Sequence, residues 1–245
     1  MWTFCLHSLV REYGWLFFRR IALPHPVRTA KALMASGALD VSGDMTVLSP
    51  GYSARRFGGA GSIVGLGFCL KPIDPPCPAG RFNHDCAYLE NLPRGEMPDV
   101  PAACRQCAIR ELGILALRAG AAVYVMTSAK DILLDVFAPA LAEGRFSAGI
   151  FALCRYSLKP FAAGLLAAGV RGWMFPFEKG DCRDYPTWLR ADRGIKEERT
   201  EIDSPSRSAI RKLLLDAAKD PAPAARFEKR GHVLYPLAAS GTEAQ

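Results

Sequence analysis

The sequence predicts an α/β fold: a partly parallel sheet with flanking helices and an inserted cysteine-rich metal-binding loop. Three observations carry this reading. The short apolar runs "GSIVGLGF", "AAVYVMT", "SAGIFAL" and "GVRGWMF" have the length of strands and the unbroken hydrophobicity of strands buried on both faces. The later three start near Ala121, Ser147 and Gly169, a twenty-odd-residue recurrence that fits a compact βα unit with right-handed crossovers and parallel strands. Between the first run and the second lies "FCLKPIDPPCPAGRFNHDC", Phe68 to Cys86, with three cysteines, one histidine and four prolines in nineteen residues.

Taken in order, helical spacing appears around Thr3 to Arg20 and Val27 to Ser36, and "SPGYSARRFGGAGS" is too rich in glycine to hold a regular element. Gly61 to Phe68 reads as the first core strand. "DVPAACRQCAIRELGILALRAG" reads as a helix opening near Pro101, with Ile109, Leu112, Leu115 and Ala119 on its inward face. "AKDILLDVFAPALAEG" and "SLKPFAAGLLAAG" carry helical spacing and a terminal glycine between the later strands. "RGHVLYPL" reads as an edge strand and "SGTEAQ" as a frayed tail. The organisation expected is an N-terminal helical region, residues 1–60, packed on an α/β domain of residues 61–240 whose cysteine-rich loop spans residues 69–107.

Half of the 245 residues are apolar and 22% are charged, ordinary for a globular chain with a sizeable core. The net charge is +7, but the basic residues are dispersed rather than interleaved with aromatics, so the expected partner is a small-molecule substrate or an electron-transfer protein and not nucleic acid. The apolar N-terminus is interrupted by His7, Arg11 and Glu12 and has no basic lead, unlike a signal peptide. No transmembrane segment is expected, since no run approaches about eighteen uninterrupted apolar residues. Trp2 to Phe18 reads as an amphipathic helix laid on the core, or alternatively on a membrane or partner. Without an export signal the expected compartment is the cytoplasm, where thiols stay reduced and eight cysteines point to metal or redox chemistry.

The thiols are spaced C-x7-C-x8-C-x17-C-x2-C from Cys69 through Cys77 and Cys86 to Cys104 and Cys107. A C-x2-C pair lets two sulfurs face one ion, so "CRQC" supplies one regular half of a site and the other half comes from Cys69, Cys77, Cys86 or His84. Thiolate softness suits an iron–sulfur cluster, of the 4Fe–4S kind, and zinc alike, and spacing leaves both open. Seven of the eighteen prolines lie between Cys69 and Cys107, in a loop that needs something other than apolar packing to hold it; metal binding supplies such energy. Arg81 and Asn83 can donate to sulfurs or an anion, or simply stabilise the loop.

Strand order adds a second grouping. Cys69 directly follows the first strand, Cys154 directly follows "GIFAL", and Cys182 lies just beyond "GWMFP", so all three fall at carboxyl ends of parallel strands, where open α/β sheets hold their sites. Cys154 and Cys182 are therefore the candidate catalytic thiols, with Asp181 in "EKGDC" as acid or base; Glu178 and Asp184 are neighbours of the same kind. "TSAKD", Thr127 to Asp131, joins a strand to a helix and reads as an N-cap or an anion site.

The stretches "CRQCAIRELG", "YVMTSAKDI", "GIFALCRYSLKPF" and "GWMFPFEKGDCRDYPTW" resemble a prokaryotic cysteine-rich family known only as a domain of unknown function and regarded as metal-binding. The resemblance covers roughly residues 61–203 and implies cysteine-rich loops followed by βα units with a cysteine after a later strand. The functional expectation is a metal-binding, iron–sulfur protein doing redox or sulfur-related chemistry at the carboxyl edge of the sheet. The alternative is a non-enzymatic, zinc-stapled binding or scaffold module.

Overall fold

The computed structural model describes residues 12–92, 100–218 and 227–236. It contains a mixed seven-stranded sheet with helices on both faces. The strands are β1 (Thr46–Val47), β2 (Ser62–Gly67), β3 (Ala122–Met126), β4 (Ala148–Leu153), β5 (Arg171–Pro176), β6 (Phe227–Arg230) and β7 (Val233–Pro236). Their order across the sheet is β1-β5-β4-β2-β3-β7-β6. The four central strands, β5, β4, β2 and β3, are parallel; β1, β7 and β6 add antiparallel margins.

The four apolar runs become these central strands because both of their faces are covered. β2, β3 and β4 are buried at every position, and β5 at all but Arg171. Their side chains alternate between two cores with the period of two that a strand imposes. Val64, Leu66, Val123, Val125, Ile150, Ala152, Trp173 and Phe175 point to one core, shared with helices Ala108–Arg118 and Ser204–Ala217. Ile63, Tyr124, Met126, Phe151, Leu153 and Met174 point to the other, shared with Leu133–Phe137 and Leu158–Ala168.

Connectivity decides where a site can form. From β2 the chain returns to β3 through Ala108–Arg118 on the first face; from β4 it returns to β5 through Leu158–Ala168 on the second. β2 and β4 are hydrogen-bonded neighbours, with Leu66 opposite Ala152. Their carboxyl ends therefore leave the sheet in opposite directions, and a crevice opens between them.

Close approach of β4 and β5 depends on Gly172, whose φ is 127° and at which a Cβ would stand 1.9 Å from the carbonyl oxygen of Gly149. On the crevice floor, a Cβ at Gly67 would meet Phe177 at 3.0 Å and the Cys69 sulfur at 3.2 Å, so a bare backbone there admits both side chains.

Several boundaries differ from expectation. The single helix expected from Pro101 is two, Ala102–Arg105 and Ala108–Arg118, interrupted at Gln106 and Cys107. "HVLYPL" is not an edge strand: β7 pairs with β3 on one side and β6 on the other, which leaves β6 outermost. β1 was hidden because two residues are too few to show a period. The helix from "AKDILLDVFAPALAEG" contains a π-helical stretch, Leu133–Phe137, a register slip that a 3.6-residue period does not encode. Residues 3–11 of the first expected helix and the "SGTEAQ" tail lie outside the described residues; Glu12–Phe17 and Pro26–Ala38 are helical as expected. No helix among the described residues is long and apolar enough to cross a membrane.

Gly172→Ala is expected to lower unfolding free energy by more than about 3 kcal/mol, because a positive-φ strain and a backbone overlap combine at one buried site. Urea unfolding followed by circular dichroism measures it.

Candidate functional site

At the carboxyl ends of the parallel strands the crevice widens into a cleft of about 90 Å³ that reaches solvent. The three cysteines assigned to this edge meet in its wall. Cys69 occupies the 3-10 turn Phe68–Leu70 straight after β2, Cys154 is the N-cap of the turn after β4, and Cys182 lies in the loop after β5. The Cys154 thiol stands between the other two and hydrogen-bonds to both. The remaining walls are mostly apolar, including Met126, Ile132, Phe137, Phe161, Phe177 and Trp188.

The three thiols are electrostatically unequal. Hydrogen bonding with Cys154 pulls the Cys69 thiol below its ordinary value, helped by the Thr200 hydroxyl and by the positive charges of Lys196 and Arg81. Cys182 is shifted the same way, again first by Cys154 and then by Lys196. Cys154 moves in the opposite direction because its neighbours use it as the donor. A thiol carries one proton, so Cys154 can serve only one neighbouring thiolate at a time, and the trio titrates as a unit.

Cys69 is the point at which spacing misleads. Spacing groups it with the loop ligands and strand order with Cys154 and Cys182; the structure places it with the latter. Its carbonyl accepts from Thr200 N at 3.0 Å, and the Arg81 guanidinium contacts the same carbonyl at 3.4 Å. Arg81 also donates to the carbonyls of Lys196 and Glu198, so it staples the loop to the segment behind Cys69 rather than reaching a sulfur.

The other four thiols form a separate group on the first face of the sheet. Cys77 and Cys86, from the proline-rich loop, and Cys104 and Cys107, from the two short helix starts, surround one small enclosed space with Lys71. Cys104 ends up close to its partner because the helix breaks there: Cys107 N donates to the Cys104 carbonyl at 3.2 Å, and Cys107 then caps the next helix. Burial pushes the Cys86 thiol up to about 12, with the nearby Cys107, Cys104 and Cys77 adding to it. Desolvation likewise raises Cys104.

Lys71 is the residue that spacing alone did not reveal. It is 1% exposed, and its ammonium donates to the carbonyls of Gly80 (3.1 Å) and Asn83 (3.0 Å) and to Asn83 Oδ1. Burial lowers its affinity for the proton; the charges of Cys77 and Cys86 act in the opposite sense. Cys69 and Lys71, two residues apart, thus serve the two thiol groups separately. Asn83 holds the loop, its Oδ1 also accepting from Asp85 N at 3.0 Å, which settles Arg81 and Asn83 as loop-stabilising residues.

Of the acids expected near Cys182, Asp184 caps helix Tyr185–Asp192 through Thr187 N at 2.8 Å. The Glu178 backbone N–H donates to Glu201 O at 2.9 Å. Asp181 accepts from Arg155 N at 3.3 Å, its Oδ1 is buried without a partner, and desolvation raises its carboxyl. A further acid, Asp192, was not foreseen. It enters the cleft from the end of its helix and accepts from Ala129 N at 2.6 Å; burial pushes its carboxyl up to about 6. The amide that "TSAKD" could have offered to an external anion is thus taken by Asp192, while Ser128 and not Thr127 caps the helix.

His84 is separate from the four thiols. Its Nδ1 lies 2.8 Å from Val125 O and its Nε2 3.1 Å from Thr127 Oγ1, and its ring stacks on His232 at 3.9 Å with planes 13° apart. Asp135 Oδ2 meets His232 Nδ1 at 2.8 Å and accepts from Tyr124 OH at 2.9 Å. Among the described residues, His84, Asp135 and His232 are the only three potential ligands whose atoms lie within 4.8 Å of one another. Imidazole lone pairs lie in the ring plane, so two parallel stacked rings do not converge on a common ion; this is a hydrogen-bonded stack. Compared with protein-family models, curated proteins and solved structures, the chain matches none.

Asp192 yields a pH prediction. Its folded carboxyl binds a proton more tightly than an unfolded one near 3.9, so its stabilising contribution is complete below about pH 4 and is lost as pH rises through about 6. Asp192→Asn is expected to raise unfolding free energy by about 1–2 kcal/mol at pH 7, with no gain at pH 4, in urea titrations at the two pH values.

Proposed function

We propose that the chain is an iron–sulfur protein that performs redox or sulfur-related chemistry in the cleft at the carboxyl edge of its sheet. The observation that carries this reading is the sorting of seven thiols into two groups of different character: four around a buried lysine, and three sharing protons in an apolar cleft.

Cys77, Cys86, Cys104 and Cys107 would hold the cluster. Four-coordinate zinc with bonds near 2.3 Å draws its sulfurs to about 3.8 Å from one another. Four thiolates around one space suit a cluster bound through separate irons as well as a zinc ion. The Lys71 ammonium favours the anionic charge that such a cluster and its thiolates bring. An amide of the helix Ala87–Asn91, that of Leu89, is directed at Cys86 and favours its thiolate. When bound, the cluster supplies electron transfer.

The chain's own residues would do the rest. The cleft's apolar walls exclude water from a substrate held there. Cys69 or Cys182 is the thiolate, favoured by Lys196, and Cys154 is the proton donor between them. Asp192, its carboxyl pushed up to about 6, can give or take a proton near neutral pH, and burial raises the Asp181 carboxyl in the same direction. The competing reading is a zinc-stapled binding module whose three edge thiols are simple core residues.

Anaerobic purification followed by iron, sulfide and zinc analysis separates the two. The expected preparation is brown, with iron and inorganic sulfide in equal amounts. Cys77→Ser and Cys104→Ser should lose both, whereas Cys154→Ser and Cys182→Ser should keep them. A colourless protein carrying one zinc, unaffected by the last two substitutions, would end the iron–sulfur reading.

A further inference from the structure

The N-terminal helices carry a surface that the thiol chemistry does not use. Glu12–Phe17 and its π-helical continuation, Phe18–Ala22, pack inward through Tyr13, Leu16, Phe17 and Ile21. Outward, Trp15 is 62% exposed and Phe18 40%, their rings stacked at 5.9 Å. The connecting Leu23 is 63% exposed, and on the next helix Val27 and Met34 are 68% and 77% exposed. Val27, Lys31 and Met34 are spaced i, i+4, i+7, and so share one face of that helix. Five large apolar side chains exposed within twenty residues are more than a scatter of single surface hydrophobics.

Their setting selects the partner. From Tyr13 to Leu39 the chain has no acidic residue, while Arg19, Arg20, Arg28 and Lys31 are all exposed. This local excess of positive charge accompanies Trp, Phe and Leu, the side chains that form the apolar face of helices lying in a bilayer interface. Apolar side chains flanked by arginine and lysine, without a span, describe a helix lying in a membrane interface rather than crossing it.

We propose that Trp15, Phe18, Leu23, Val27 and Met34, with Arg19, Arg20, Arg28 and Lys31, dock the protein on an anionic lipid bilayer. The apolar side chains enter the acyl boundary and the basic ones meet lipid phosphates. The helix that carries Trp15 also presents Tyr13 to the cleft, so docking sets a wall of the cleft beside the membrane.

Co-sedimentation of the full chain with vesicles tests this, comparing phosphatidylcholine mixed with phosphatidylglycerol against phosphatidylcholine alone. Binding is expected to the mixed vesicles only and to weaken with salt. Arg19→Gln with Arg20→Gln should weaken it about tenfold or more. Trp15→Ser and Met34→Ser should reduce binding without changing circular dichroism, since both side chains are exposed. Addition of vesicles should shift tryptophan emission to the blue, and the shift should shrink in Trp15→Phe. Absence of binding, or binding indifferent to anionic lipid and to these substitutions, would overturn the proposal. So would a dimer in sedimentation velocity that Met34→Ser dissolves, because the face would then belong to a second copy of the chain.

Discussion

Divergence of two neighbouring parallel strands is the constraint on which the rest depends. β2 and β4 are hydrogen-bonded along their length, but their continuations pass to opposite faces of the sheet. A right-handed crossover on each face leaves no chain to fill the space above their carboxyl ends. Cys154 follows β4 directly, Cys69 follows β2 after Phe68, and Cys182 reaches them because β5 lies in register beside β4, Leu153 opposite Pro176. The thiol trio is thus a product of topology, with Gly67 leaving the room it needs.

Charge balance explains the division of labour between the two thiol groups. A buried ammonium is costly unless its donors are satisfied, and Lys71 meets this by taking carbonyl and amide oxygens from Gly80 and Asn83. The same contacts hold the proline-rich loop in place over the first face, which brings Cys77 and Cys86 to the helix starts at Cys104 and Cys107. Behind Cys69, Arg81 performs the corresponding task by binding three backbone carbonyls. Loop polar residues therefore keep the two groups apart, and the Arg81 charge biases Cys69 toward thiolate.

Much of the fold was legible because buried parallel strands announce themselves as apolar runs. The four core strands and the helices between the later ones fall where periodicity puts them. The convergence of Cys69, Cys154 and Cys182 was legible too, since residues just after parallel strands must share an edge. What escaped were features made by contacts distant in sequence. Asp192 lies 63 residues from the Ala129 amide it binds, and His232 meets Asp135 across 97 positions. The break at Gln106 was missed because the helical spacing of "AACRQCAIREL" continues through it, although Cys104 and Cys107 need it to face a common space.

The sequence by itself determined that this is a layered α/β protein with two families of thiols, since strand order and burial follow from local hydrophobicity and crossover length. It also determined the basic character of residues 13–39, which contain no acid. Only the tertiary structure decided that Lys71 is buried among the loop thiols and that Asp192 enters the cleft. The reason is physical: burial, proton affinity and hydrogen-bond partners are set by whatever the fold brings alongside a residue, and neighbours along the chain do not specify it.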